Sequence, residues 1–183
     1  GKKGNYTEND ETNPINYYGH SKDLAEKITL KNKNNLVLRT AMVYGLSSKV
    51  RFLLYVIENL RENKEINTYD DIFNSATLLD DLTNGISKAI EFDANGIYHM
   101  VGSSCVSRFD FAKTVAKVFN FNENLVKPVS IVSSKLKAQR PVKPCLNNSK
   151  AVKTFNIKFS SINEGIKRVY ERRDGLDIFN IWK

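Results

Sequence analysis

The chain has 183 residues, 41% of them hydrophobic and including 10 Phe and 8 Tyr, which suffices for one well-packed domain or a domain with an appendage. The formal net charge is +8, yet Lys and Arg are spread along the sequence among acids with no block of five like charges, so the charge reads as a solvated surface. A nucleic-acid-binding domain would need a basic face interleaved with aromatics or a recognition helix, and the sequence offers neither. No apolar run approaches 18 residues and no apolar leader is seen, so the expectation is a cytoplasmic protein without a membrane span or signal peptide. Cys105 and Cys145 lie far apart with no metal-ligand spacing. They are expected to be buried thiols rather than a zinc site or a bridge.

Residues 1–13 are polar and turn-rich and read as a loop. Asn13 or Asn16 can cap a following helix, and Pro14 suits its first turn. The helix is expected to run to about residue 30, with Leu24, Ala25 and Ile28 as its buried stripe. Tyr18 and Lys22 stand four apart in it, one turn above the other on the same face. A phenol is a poor proton relay near neutrality, and an ammonium close by favours the phenolate. Such a pair can pass a proton to an alcohol oxygen while a hydride moves at the adjacent carbon. The lysine keeps donors for a ribose hydroxyl. The spacing alone recurs by chance in a chain rich in Tyr and Lys, so it gains weight only from its surroundings.

Residues 36–40 form an apolar run ending in polar groups, as a buried parallel strand does. Residues 52–60 read as a broadly buried helix, 66–69 as a short strand and 70–76 as a loop. Thr77 is expected to cap a helix that stops near Gly96. Residues 96–102 read as a strand in which His99 is structural. Ser107, with Asp110 three residues on, has the form of a capping box. Arg140 precedes Pro141, which holds it in extended backbone, and its planar fork suits a diphosphate. Two helices near 150–153 and 162–169 close the chain. The basic face of Lys167, Arg168, Arg172 and Arg173 is expected to be solvated.

The run Asn13-Pro14-Ile15-Asn16-Tyr17-Tyr18-Gly19-His20-Ser21-Lys22, continued by Glu26, resembles the active-site helix of the extended short-chain dehydrogenase/reductase superfamily, and within it the dTDP-4-dehydrorhamnose reductase branch. Leu38-Arg39-Thr40 with Val43-Tyr44-Gly45, Gly96-Ile97-Tyr98-His99 and Ser107-Arg108-Phe109-Asp110-Phe111-Ala112 fit the same pattern. The resemblance implies an α/β fold: the C-terminal part of a Rossmann-like doubly wound sheet with a small α/β substrate-binding lobe. Residues 1–70 would belong to the Rossmann-like part and 71–183 mainly to the lobe, the two interleaved. It implies Tyr18 as proton donor and Lys22 as the residue that tunes it and binds the nicotinamide ribose, with Thr40 and Val43 also at the cofactor. Met42, Asn74 and Arg140 would contact substrate. Met42 stands where the family typically has tryptophan, and Ala76 where it has proline.

The implied activity is reduction of a 4-keto-6-deoxy nucleotide sugar by NADPH or NADH, with Mg2+ and a homodimer left open. The competing readings are a nucleotide-sugar epimerase or dehydratase, and a non-catalytic regulatory subunit of the kind that serves methionine adenosyltransferase. The chain carries no glycine-rich phosphate turn of the Gly-x-Gly-x-x-Gly type. The expectation is therefore a fragment whose partner includes the missing N-terminal half, and which alone binds cofactor poorly.

Overall fold

The computed structural model describes residues 1–47, 50–134 and 136–172. Helices α1 (Tyr17–Thr29), α2 (Arg51–Arg61), α3 (Leu79–Glu91), α4 (Arg108–Val118), α5 (Ser149–Phe155) and α6 (Ile162–Glu171) alternate with strands. The strands are β1 (Leu36–Arg39), β2 (Val43–Tyr44), β3 (Ile66–Tyr69), β4 (Phe73–Leu78), β5 (Gly96–His99), β6 (Ser104–Ser107) and β7 (Val126–Val129). β1 pairs in parallel with β5, β3 with β7 and β2 with β4, while β6 runs antiparallel on the other edge of β4. Parallel pairs joined through helices are the mark of an α/β fold. Among the described residues no helix is long and apolar enough to cross a membrane.

Two apolar clusters organise the packing. The larger gathers Tyr44 with the inner faces of α2, α4 and α6 and includes Leu53, Phe111, Val115 and Ile166. The smaller joins Ala89 of α3 and Ala151 and Phe155 of α5 to Met100, with Leu36, Leu38 and Tyr98 of β1 and β5 against it. α2 and α4 enter the first cluster for the expected reasons. α2 buries Leu53, Leu54, Val56, Ile57 and Leu60. α4 opens on a full capping box in which Ser107 accepts from the Asp110 amide and Asp110 from the Ser107 amide.

Three expectations need correction. Residues 70–76 are not all loop, because β4 starts at Phe73 and buries Ser75, Ala76, Thr77 and Leu78 between β2 and β6. Its small, polar residues hide the strand, but they allow close approach: an added Cβ at Gly102 would strike the Ala76 carbonyl. Thr77 accordingly lies in the strand rather than at a cap. Its Oγ1 donates to the Ala41 carbonyl at 2.7 Å and accepts from the Gly102 amide, and α3 starts two residues later.

Second, Cys105 and Cys145 form a disulfide. Cys105 pairs with Ser75 across β4 and β6, while Leu146 N donates to Ser75 Oγ, so one β4 residue draws both cysteines together. Their Cα atoms are 5.7 Å apart, within the usual span of a bridge.

Third, Arg168 and Arg172 are not merely solvated. Arg168 Nη1 donates to Asp81 at 2.5 Å and to Ser160 Oγ at 2.9 Å, and Arg172 pairs with Asp80. These acids sit in the first turn of α3, where the helix dipole favours negative charge. Arg173 lies outside the described residues.

Candidate active site

α1 begins where Asn16 caps it, its side-chain oxygen accepting from the Gly19 amide at 2.8 Å. The next turn presents Tyr18, 70% exposed, and Lys22 Nζ lies 5.7 Å from the centroid of its ring. The pair thus meets as its spacing requires. The expected apolar stripe does not exist: α1 buries no residue, Leu24 is 58% and Ile28 56% exposed, and Ala25 is exposed as well. The helix meets the sheet through charge. Arg39 at the end of β1 donates from Nε to both oxygens of Glu26, at 3.0 and 3.1 Å, and from Nη2 at 2.7 Å.

The remaining expected site residues fall into two groups. Thr40 is exposed just past the carboxyl end of β1, and Met42 and Val43 follow it into β2. Met42 takes a left-handed φ of 39° and packs against the larger core cluster, and its carbonyl accepts from the Thr77 amide at 3.1 Å. Asn74 is half-buried in β4 opposite Val106. Arg140 is exposed, on a segment that bridges both groups. Asn16 Nδ2 donates to the Gln139 carbonyl at 2.8 Å, and the Phe73 amide donates to the Val142 carbonyl at 2.8 Å. These two bonds set Arg140 between the start of α1 and the start of β4.

A cleft of about 490 Å³ opens between α2, β3 and the start of α4, lined by Arg51, Phe52, Tyr55, Asn67, Tyr69 and Arg108 among others. The Arg108 guanidinium stacks over the Phe52 ring at 4.7 Å. Burial, reinforced by the charge of Arg140, lowers the pKa of Arg108. Among the described residues, no carboxylate lies within ion-pair distance of Arg108 or Arg140. Arg108, stacked over Phe52 with no described carboxylate at ion-pair distance, has the chemistry to suit an anion beside the aromatic rings of the cleft. Sequence reading assigned no role to Arg108 or to the cleft aromatics. A signal was present: Arg108 follows the cap Ser107, in a first turn where the helix dipole disfavours a cation.

Tyr18 and Lys22 are exposed on α1, and Thr40 is exposed just past the carboxyl end of β1, the end of a parallel strand where open α/β sheets bind ligands. They suit a nicotinamide riboside. No glycine-rich turn in the sequence suits the pyrophosphate. Among the described residues, no group of three His, Cys, Asp or Glu is placed to hold a metal.

A family model described as the RmlD substrate binding domain matches residues 1–174. The dTDP-4-dehydrorhamnose reductase of Sinorhizobium fredii is 29% identical over 175 residues, which cover 90% of this chain and 59% of the relative. The crystal structure of dTDP-4-dehydrorhamnose reductase from Bacillus anthracis, in complex with NADP, superimposes with a TM-score of 0.83 at 29% identity, over 92% of this chain and 59% of that one. The dTDP-glucose 4,6-dehydratase of the same organism, in complex with NAD, shares the fold alone: TM-score 0.77 and 17% identity, over 97% of this chain and 58% of that one. The chain therefore spans about three fifths of the length of the relatives it matches.

Proposed function

The chain belongs to the RmlD substrate binding domain family, and from that premise we propose that it carries the catalytic helix and the substrate side of an NAD(P)H-dependent reductase acting on a 4-keto-6-deoxy nucleotide sugar. What supports this reading is the segment at residues 139–142, which carries Arg140 and whose Gln139 carbonyl accepts from Asn16 at the start of the helix bearing Tyr18. A reacting sugar between Tyr18 and the arginines has a proton donor at one end and anion-binding groups at the other.

In this reading the bound nicotinamide supplies the hydride. The chain's own residues do the rest. Lys22 and Thr40 hold the ribose, and Val43 lines the nicotinamide side of the site. Tyr18 donates its phenolic proton to the oxygen that was the 4-keto group, and Lys22 stabilises the phenolate left behind. Arg108 and Arg140 grip the diphosphate, and the cleft aromatics take the base. Asn74 and Met42 border the sugar. Residues 1–70 supply most of the cofactor side and 71–183 most of the substrate side. The smaller apolar cluster joins them, since it packs β1 against β5, α3 and α5.

The test uses this chain together with its flanking reading frame, following NADPH oxidation with dTDP-4-keto-6-deoxy sugar. Turnover is expected, and Arg108→Ala should raise KM for the nucleotide sugar about 10- to 100-fold, the loss of one or two charge-assisted hydrogen bonds, with the KM for NADPH little changed. A protein that binds NADPH yet oxidises it with no keto-sugar nucleotide contradicts the reading.

A further inference from the structure

Three residues of the family-like motifs have no place in the chemistry above: Glu26 from the helix run, Arg39 from Leu-Arg-Thr and His99 from Gly-x-Tyr-His. In the fold they meet. Arg39 and His99 are register partners across β1 and β5, and Glu26 reaches them from α1. Arg39 commits Nε and Nη2 to the Glu26 carboxylate and places Nη1 3.3 Å from His99 Nε2. A guanidinium only donates, so His99 Nε2 is the acceptor and the ring proton is assigned to Nδ1. Nδ1 then donates to the Asn147 carbonyl at 2.9 Å, and the His99 amide donates to Glu8 at 2.9 Å. His99 is fully buried, and the Arg39 and Glu26 side chains are only 18% and 21% exposed.

This arrangement differs from an ordinary surface ion pair. A forked guanidinium on a carboxylate fixes direction as well as distance, and the third nitrogen is fixed by an immobile ring. It is also the helix's charged tie to the sheet, because α1 has no buried apolar face. Its other side-chain ties run to loop segments: Asn16 to Gln139, Asp23 to Thr12 and the Thr29 carbonyl to Asn35. Positions four apart drift only about 40° around a helix. Glu26, Lys22 and Tyr18 therefore follow one stripe, and whatever sets the rotation of Glu26 sets that of the other two.

We propose that Glu26, Arg39 and His99 act as positioning residues, a shielded relay that fixes the rotation and height of α1 so that Tyr18 and Lys22 face the reacting carbonyl. The inference rests on the reductase reading for its kinetic consequence. Its structural consequence stands apart from it.

The experiment compares wild type, Arg39→Met and Arg39→Lys in the full reading frame. Expected for Arg39→Met is a kcat lower by about 10- to 100-fold, as a displacement of the order of 1 Å produces, with both KM values within about threefold of wild type. Arg39→Lys, which keeps the charge but not the fork, should recover part of that loss. Amide exchange across α1 should quicken in Arg39→Met while α4 keeps its protection. A wild-type kcat with unchanged α1 exchange overturns the proposal. So does equal loss of protection in α1 and α4, which would make the pair a general prop of the fold. If wild type reduces no keto-sugar nucleotide, the reductase reading falls by itself. Exchange then decides the relay, faster α1 exchange upholding it and unchanged exchange overturning it.

Discussion

α4 and α1 are of similar length and both carry motif residues, but they are held on opposite terms. α4 buries Phe111, Ala112, Val115 and Ala116 and is gripped by α2, α6 and β6. Phe111 meets the rings of Tyr44 and Phe52 at 5.2 and 5.4 Å. α1 buries nothing and is tethered by hydrogen bonds and one forked ion pair. Apolar packing is non-directional and tolerates small rotations, whereas a fork of hydrogen bonds does not. The second kind of support suits a helix that aims a side chain, as proposed for α1 and Tyr18. A helix that must only hold Arg108 over a cleft can rest on the first.

The contrast can be broken from its stable side first. Phe111→Ala should lose about 3–5 kcal/mol in urea unfolding, since a fully buried ring leaves a cavity among Tyr44 and Phe52. Gly165→Ala should cost about 1–3 kcal/mol, because the added Cβ would run into the Tyr44 hydroxyl, and the far-ultraviolet spectrum should stay native. A smaller effect concerns pH. Burial lowers the pKa of His99 despite the opposing influence of Glu8. The unfolded chain thus binds a proton that the folded one resists, and stability is full above about 6.5 and declines as pH falls below it. Thermal midpoints measured from pH 8 to 5.5 should show this decline, and His99→Asn should flatten it. Smallest of all, Leu24→Ala on α1 should shift stability by no more than about 0.5 kcal/mol, since the side chain is mostly exposed. A cost near that of Phe111→Ala would mean that α1 is held by apolar packing after all.

The elements with strong periodicity or a cap were legible from sequence. The Ser107 capping box, the buried face of α2 and the parallel strand at 36–39 stand where the pattern puts them, and of the two candidate caps of α1 it is Asn16 that caps, which leaves Pro14 ahead of the helix rather than in its first turn. β4 was not legible, because Asn74 and Ser75 have loop composition, and its close approaches, of Ala76 to Gly102 and of Thr77 to Gly102 and the 41–42 backbone, are set by the fold. The disulfide was hidden because pairing depends on β4 lying between two distant segments. The meeting of Tyr18 and Lys22 on one face of α1 followed from their spacing. The Arg108 cleft needed the fold, since its lining comes from α2, β3 and α4. Leu24 and Ile28 misled because an apolar stripe on a helix implies burial, and here nothing in the described chain covers it.

The central claim is that α1 presents Tyr18 as the proton donor. It is tested most directly by Tyr18→Phe in the full reading frame, with NADPH oxidation followed on a 4-keto-6-deoxy nucleotide sugar and cofactor affinity measured separately. The account predicts a kcat lower by about 10²- to 10⁴-fold with cofactor affinity nearly unchanged. A Tyr18→Phe protein that turns over at the wild-type rate would contradict it.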